Sequence, residues 1–543
     1  MSAASLAPSI EDACERWAAR PAVTHHDRTL TYSELFERIL ALSSAYRSLG
    51  IRPGDRVVCQ LPLCPEHLVA VGAAWRCGAI HVGAHRDLTE AELTALVERT
   101  QAAAVVFQPP AGLADPLGPL RAVRAARPSV TAIVHGHPAE GGEHSLTELI
   151  ASSTAGSLPA ASAPEDTALL LFTSGTTGRP KAVMETLPAL WGKMQFFADA
   201  LSPGPDDVHL MYLPINHVFG LKLTLMALMS GGRLVLLDQY SPEEALRLAD
   251  DQRVTILPAT PTHLTLLLRT LDDGHRLESL RWIVSAAAPL PAALVEETYD
   301  RLGVELMHVY GCSEGFLTVT TARDEIRGGS VGRAVFRGPP GTPPTGSVAI
   351  LHPDRMEHLP REEVGEIAYG TSRPVRFWGE PARGADGWYR TGDLGRLDCD
   401  GRLTISGRLK EVVNRGGLKV ACGEVEAVLT GHPGVAECAV IGTPDPVLGE
   451  AICACVVQSG EPSPILADVR AALRRRLARH KLPDELCVLD SLPRSAIGKL
   501  DRRALAALVV DADLPRERLR SRRPAGPDRS AERERPVAGA DAQ

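Results

Sequence analysis

No run of apolar residues in the chain approaches the roughly 20 that a membrane-spanning helix needs, so no integral membrane association is expected. The first residues also lack a basic segment followed by a long apolar one, and no secretory signal is expected. Positive charge is not in excess either. A net charge of -8 argues against the basic face that a phosphate backbone demands, so nucleic acid is not an expected partner. The 11 cysteines have no repeated spacing and an odd count, which excludes a disulfide framework and points to reduced thiols in a cytoplasmic setting. Cys453 and Cys455 alternate within an apolar stretch, as two residues on one strand face would. Neither Cys-x2-Cys nor His-Glu-x2-His occurs, so no zinc site is indicated. The Walker pattern is missing too, because Arg179 and Pro180 separate Gly178 from Lys181.

What the chain does contain is organised around residues 168–181. The apolar run 168–172 reads as a buried strand. It empties into Thr173, Ser174, Gly175, Thr176, Thr177 and Gly178, and the loop closes on Arg179 and Lys181. Glycines let a backbone turn tightly and present its N–H groups to an anion. Hydroxyls add donors, and a lysine adds a compact positive charge suited to phosphate. A plain surface turn would also use Ser, Thr and Gly.

This loop resembles the phosphate loop of the adenylate-forming enzymes, the superfamily of acyl-CoA synthetases, adenylation domains and luciferases. The resemblance runs from about residue 31 to about residue 505. Tyr310-Gly-Cys-Ser-Glu314 is similar to the family's Tyr-Gly-x-Thr-Glu segment, with Ser313 in place of threonine. The resemblance implies that Glu314 holds Mg2+ against the ATP phosphates and that Tyr310 lies at the adenine with Gly311. Tyr389-Arg-Thr-Gly-Asp393 is similar to the ribose-binding segment, and an ionised Asp393 could accept from both ribose hydroxyls. Arg408 is implied as a further nucleotide contact.

Pro493-Arg-Ser-Ala-Ile-Gly-Lys-Leu500 resembles the C-terminal lysine loop, which makes Lys499 the expected cation for adenylation. Lys410 stands at the family's hinge position, and Gly416 and Gly417 at its pantetheine channel. Asn216-His-Val-Phe-Gly220 matches the acyl-pocket segment. It carries His217, Val218 and Phe219 where amino-acid-activating relatives place an aspartate nearby. Ser285-Ala-Ala-Ala-Pro289 matches the segment at the adenine and acyl pocket, assigning Ala287, Ala288 and Pro289 to ATP and Ala286, with Gly311 and Cys312, to the acyl group. A methyl at Ala286, where glycine is common, predicts a narrow pocket. Two further departures are Ala182 in place of a common glycine and Gly83-Ala84-His85-Arg86 in place of a Pro-containing stretch.

Alternating helix and strand signals through the first 310 residues predict an α/β fold with doubly wound, largely parallel sheets. Residues 109–164, rich in Ala, Gly, Pro and Ser, read as mostly loop. Short strands and turns from about 329, with Trp388–Tyr389 as one short strand, predict an antiparallel β subdomain. The predicted division is a large N-terminal domain over 1–409, a small mobile α+β domain over 410–511 with a helix over about 465–479, and a charged, Pro-rich disordered tail over 512–543. The function expected from the resemblance is an ATP-, Mg2+- and CoA-dependent ligase of a compact aryl, alicyclic or short to medium aliphatic acid, acting through an acyl-adenylate. The alternatives are transfer to a carrier-protein thiol or an amine, and a nucleotide-binding scaffold without activity.

Overall fold

The computed structural model describes residues 6–518, apart from 114, 140, 153–164, 174–180, 273–276, 289, 334–346, 356, 372, 410, 416–417, 446–447, 461, 475, 478, 495–499 and 512–513. The chain divides into two compact units, residues 1–405 and 406–543.

In the first unit, a nine-stranded sheet has Ile80–Gly83 and Arg56–Gln60 at its centre. Val57, Val58, Cys59 and Val82 are fully buried there, as expected for parallel strands covered on both faces. Leu169–Thr173 pairs parallel to Ile80–Gly83, then turns back antiparallel through Lys181–Glu185. Val375–Phe377 and Glu380–Arg383 extend that antiparallel edge. On the other side lie Ala104–Phe107, Thr131–Val134 and His144–Ser145.

The eight-stranded sheet runs Gly315–Thr320, Glu305–Cys312, Trp282–Ser285, Ile256–Ala259, Val208–Met211, Arg233–Leu236, Pro21–His25 and Arg28–Thr31. Its interior pairs are parallel, and each edge is an antiparallel hairpin. Helices pack on it through apolar faces. Leu187–Leu201 buries Leu190, Met194, Phe197 and Leu201 at helical spacing, as the sequence pattern predicts. Tyr32–Ser48 opens with a capping box in which the Thr31 hydroxyl accepts from the Glu34 N–H and the Glu34 carboxylate accepts from the Thr31 N–H. A four-stranded antiparallel sheet, Val348–Leu351, Gly365–Gly370, Trp388–Leu397 and Leu403–Arg408, supplies the β subdomain.

Three readings of the sequence change. Residues 109–164 are less loop-like than their composition suggests: they hold the helices Gly118–Ala126 and Leu146–Ser152 and the strand Thr131–Val134. Leu120, Val123, Ile133 and Val134 are fully buried, so a few large side chains outweigh the Ala and Pro around them. The strand at Trp388 continues to Leu397, because Gly392 takes a φ of 78° and the ladder shifts register beside it instead of ending. The chain also remains paired beyond 512: Glu517–Arg518 adds antiparallel to Glu485–Leu489, and Arg516 forms an ion pair with Glu485.

The second unit is α+β. Gly449–Gln458 pairs with both Val435–Asp445 and Glu485–Leu489. Cys453 and Cys455 do share one strand face, packed with Ala439, Ile441 and Cys487, and all eleven cysteines are free thiols. The helix expected over 465–479 is shorter, Leu466–Leu473. The second compact unit begins at Ser406, four residues before Lys410, which itself lies outside the described residues.

Candidate active site

In the first unit the hairpin of Leu169–Thr173 and Lys181–Glu185 places Thr173 opposite Lys181. Leu169, Leu170 and Leu171 anchor it in the core, so Thr173 stands at the carboxyl end of a parallel strand, where open α/β sheets bind ligands. The loop residues Ser174, Gly175, Thr176, Thr177 and Gly178 lie outside the described residues; Lys181 is half-buried at the head of the returning strand.

The second hairpin, Glu305–Cys312 with Gly315–Thr320, carries Ser313 and Glu314 at its turn. Three tyrosines tie this turn to the β subdomain. The Tyr310 hydroxyl donates to Asp393 Oδ2 at 2.6 Å, and the Tyr389 hydroxyl donates to Glu314 Oε1 at 2.8 Å. The Tyr369 hydroxyl donates to the Glu314 carbonyl at 2.8 Å, and Lys193 Nζ donates to the same oxygen at 3.2 Å. The two bonds to carboxylates are charge-assisted, a kind worth about 1.5–3 kcal/mol each. Gly315 makes the approach possible, since a Cβ there would lie 2.7 Å from the Tyr369 ring. Burial, reinforced by Asp393, holds the Tyr310 phenol well above its ordinary range. Burial reinforced by Glu314 does the same for Tyr389, so both rings stay neutral donors. The Cys312 thiol is also pushed up, by burial and then by Glu314.

Behind this turn, Lys193 forms an ion pair with buried Glu185. Lys222, on the apolar helix Val218–Met229, is fully buried. Burial and then Lys193 hold its ammonium well below the ordinary lysine range, while Glu185 opposes the shift. These residues escaped the sequence reading. Their only signal was one lysine in an otherwise uncharged twelve-residue helix, 218–229.

The segment that resembles an acyl-pocket motif lies at the start of that helix. His217 is its N-cap residue, and Val218 and Phe219 form its first turn. The His217 ring lies 6.2 Å from His85 in an edge-on arrangement. Gly83 touches the same segment, since a Cβ there would lie 2.9 Å from Asn216 Cα. Two segments singled out separately in the sequence, 83–86 and 216–220, are therefore neighbours. The Ser285–Ala288 turn follows Trp282–Ser285: Ser285 and Ala286 are buried, Ala288 is exposed, and Ala287 takes a left-handed φ of 77°. Pro289 lies outside the described residues, as do Gly416, Gly417 and Lys499. Gly311 is exposed in its strand, and Arg408 is an exposed residue of the second unit.

The structure thus brings Tyr310, Cys312, Glu314 and Asp393 together with Tyr369, Tyr389 and Lys193. Phenol and carboxylate groups of this kind can accept ribose hydroxyls, hold a hard cation and line an adenine-sized slot.

Known proteins resemble this chain over most of its length. The AMP-binding enzyme profile matches residues 10–373, and the AMP-binding enzyme C-terminal domain matches residues 424–499. The chain is 34% identical over 502 residues to a 2-hydroxy-7-methoxy-5-methyl-1-naphthoate–CoA ligase of Streptomyces carzinostaticus, covering 88% of each chain. It is 32% identical to a salicyl-AMP ligase / salicyl-S-ArCP synthetase of Mycobacterium tuberculosis, covering 91% of this chain and 89% of that one. Among solved structures, ATP-bound MatB from Rhodopseudomonas palustris superposes with a TM-score of 0.82 at 27% identity, covering 94% of this chain and all of that one.

Proposed function

The chain belongs to the AMP-binding enzyme family, ligases that join acids to thiols through an acyl-adenylate, and from that premise we propose its substrate, its acceptor and the work of its residues. The acid is a compact aryl, alicyclic or short to medium aliphatic carboxylic acid, and the acceptor is CoA. The naphthoate–CoA ligase supports an aromatic acid and a CoA acceptor, and buried Ala286 supports a narrow pocket. Transfer to a carrier-protein thiol is the second reading, favoured by the likeness to the salicyl-S-ArCP synthetase. We place the enzyme in the cytoplasm.

In the first step a carboxylate oxygen of the acid bonds to the α-phosphorus of ATP, and the bond to the β-phosphate breaks to release pyrophosphate. Two anions must approach, so the site needs positive charge and a firm hold on the leaving group. Residues 173–178 and Lys181 hold the phosphates. Asp393 accepts from the ribose hydroxyls while Tyr310 orients its carboxylate and borders the adenine with Gly311, Ser313, Ala287, Ala288 and Pro289; Arg408 is a further nucleotide contact. Glu314, kept in place by Tyr389, suits Mg2+, a hard cation that prefers oxygen and is often held by one or two carboxylates plus substrate phosphates. When bound, Mg2+ would neutralise phosphate charge.

His217, Val218, Phe219, Ala286 and Cys312 border the acyl group. Lys499 supplies a further cation for adenylation. In the second step the thiol sulfur bonds to the acyl carbon, AMP departs and the thiol proton is lost, with Gly416 and Gly417 beside the pantetheine and Lys410 as hinge between the two steps.

The observation that carries this reading is the pair of hydrogen bonds, Tyr310 to Asp393 and Tyr389 to Glu314, which joins two distant motifs in one network. The test is pyrophosphate release across a panel of aromatic, alicyclic and aliphatic acids, followed by mass spectrometry with CoA present. Acid-dependent release with an acyl-CoA product is expected. Acylation of a carrier protein or an amine with no acyl-CoA would replace the first reading by the second. No acid-dependent release would contradict both.

A further inference from the structure

The strands Pro21–His25 and Arg28–Thr31 form a hairpin at one edge of the eight-stranded sheet. His26, at its turn, has a φ of 50°, a left-handed conformation that most non-glycine residues avoid. That turn sets two consecutive imidazoles side by side, with ring centroids 4.0 Å apart, where regular strand geometry would send them to opposite faces. Both rings are directed at one carboxylate. His25 Nε2 contacts Asp238 Oδ1, and His26 Nε2 lies 3.4 Å from Asp238 Oδ2. One ligand atom from each of the three residues lies within 4.8 Å of the other two.

Two ligands each about 2.1 Å from a tetrahedral zinc ion stand about 3.4 Å apart, so these donors need little movement to share a cation. Two imidazoles and one carboxylate suit zinc and its first-row neighbours, whereas magnesium and calcium prefer oxygen alone. Glu244, though tied to Arg247, is close enough to His26 to feel its charge, and it adds negative potential nearby. The other cluster of potential ligands among the described residues, Cys64, Glu66 and His135, is less suited. Arg38 already lies 3.6 Å from Glu66, and burial pushes the Cys64 thiol up to about 12, away from the thiolate a metal needs.

We propose that His25, His26 and Asp238 form a binding site for a divalent transition cation of the zinc type, with water completing its coordination. The ion fastens the edge hairpin to the chain just beyond the neighbouring parallel strand Arg233–Leu236. No zinc motif marks the site in the sequence, because the third ligand comes from more than two hundred residues away. The nucleotide network shares none of its residues.

The test titrates zinc by calorimetry into the full chain stripped with EDTA, in three forms. His26→Gly removes the imidazole while suiting a left-handed turn, and at 70% side-chain exposure His26 can be replaced without opening the core. Asp238→Asn removes the anionic ligand. The unaltered chain is expected to bind one zinc equivalent at micromolar or lower Kd, and to gain Tm when it does. Both variants should lose that equivalent or bind it at least 10-fold more weakly, with unchanged circular dichroism and acid-dependent pyrophosphate release. Zinc held by the exposed thiol of Cys399 would persist in both variants and is thereby distinguished. The same stoichiometry, affinity and Tm gain in all three forms would overturn the site. So would the absence of a micromolar equivalent in the unaltered chain.

Discussion

Tyr389 illustrates how one hydroxyl can support chemistry without performing it. It donates to Glu314 Oε1, and a carboxylate with about four lone-pair sites can still accept or coordinate elsewhere. Tyr389→Phe removes that donor and should lower kcat by about 10-fold, equivalent to about 1.4 kcal/mol. Glu314→Gln should cost at least 100-fold, on the scale of losing a major electrostatic contact in the transition state. Initial rates of pyrophosphate release compare the two, and equal losses would contradict the supporting role. Ala287 permits a prediction of opposite sign. An alanine in the left-handed region carries a penalty of about 1–2 kcal/mol, which glycine lacks. After the entropy cost of glycine, Ala287→Gly should leave stability equal or up to about 1 kcal/mol higher. A urea unfolding midpoint that falls by more than that would contradict a strained backbone at this turn.

Among elements, the helix Val218–Met229 carries at its start the residues proposed to border the acyl group. It begins at His217, and its second turn delivers Lys222 toward Lys193, Glu185 and Cys312. Gly220 fits it against the preceding segment, since a Cβ there would press into the Pro214 carbonyl oxygen and stand 2.9 Å from that of Leu213. Both obstacles are backbone, so Gly220→Ala must displace the helix start. Loss of about 1–3 kcal/mol of stability and a rise in KM for the acid are expected, measurable by chemical unfolding and steady-state kinetics. An unchanged KM would separate the helix from the acyl pocket.

This helix also shows what a sequence discloses. Helices with one apolar face, such as Leu187–Leu201, and buried β-branched strands, such as Arg56–Gln60, were legible because local patterning fixes them. The motif singled out Asp393, but the full extent of its strand, Trp388–Leu397, was not legible because Gly392 and Asp393 carry turn chemistry. The strand Thr131–Val134 was hidden by its Ala- and Pro-rich surroundings. The partnership of Tyr389 with Glu314, the approach of His85 to His217 and the gathering of Lys193 and Lys222 depend on tertiary pairing, which no local period encodes.

At the scale of the whole molecule, stability should respond to acid through histidines kept neutral by burial. Burial lowers His67, His209, His263 and His308 to about 4 and His81 to about 3, against an ordinary value of 6.5. Between those limits the unfolded chain binds more protons than the folded one, so stability rises with pH. The contribution is fully present above about 6.5 and declines as pH falls toward 4, at up to about 1.4 kcal/mol per pH unit for each histidine. Urea midpoints at pH 7.5 and 5.5 should therefore fall steeply on acidification, and equal midpoints would contradict neutral burial.

The second prediction at this scale concerns the C-terminal unit. Lys499→Ala should slow acyl-adenylate formation at least 100-fold while sparing thioester formation from supplied acyl-adenylate, because the lysine is assigned to the first step alone. Equal impairment of both steps would contradict that division of labour.

The most direct measurement is isotope exchange between pyrophosphate and ATP, with the chain supplied with single carboxylic acids and no thiol. Exchange that requires a compact acid, needs no CoA and drops at least 100-fold in Glu314→Gln is the predicted result. Exchange that is indifferent to every acid, or that survives unchanged in Glu314→Gln, would contradict an adenylating site built around the Tyr310–Asp393 and Tyr389–Glu314 network.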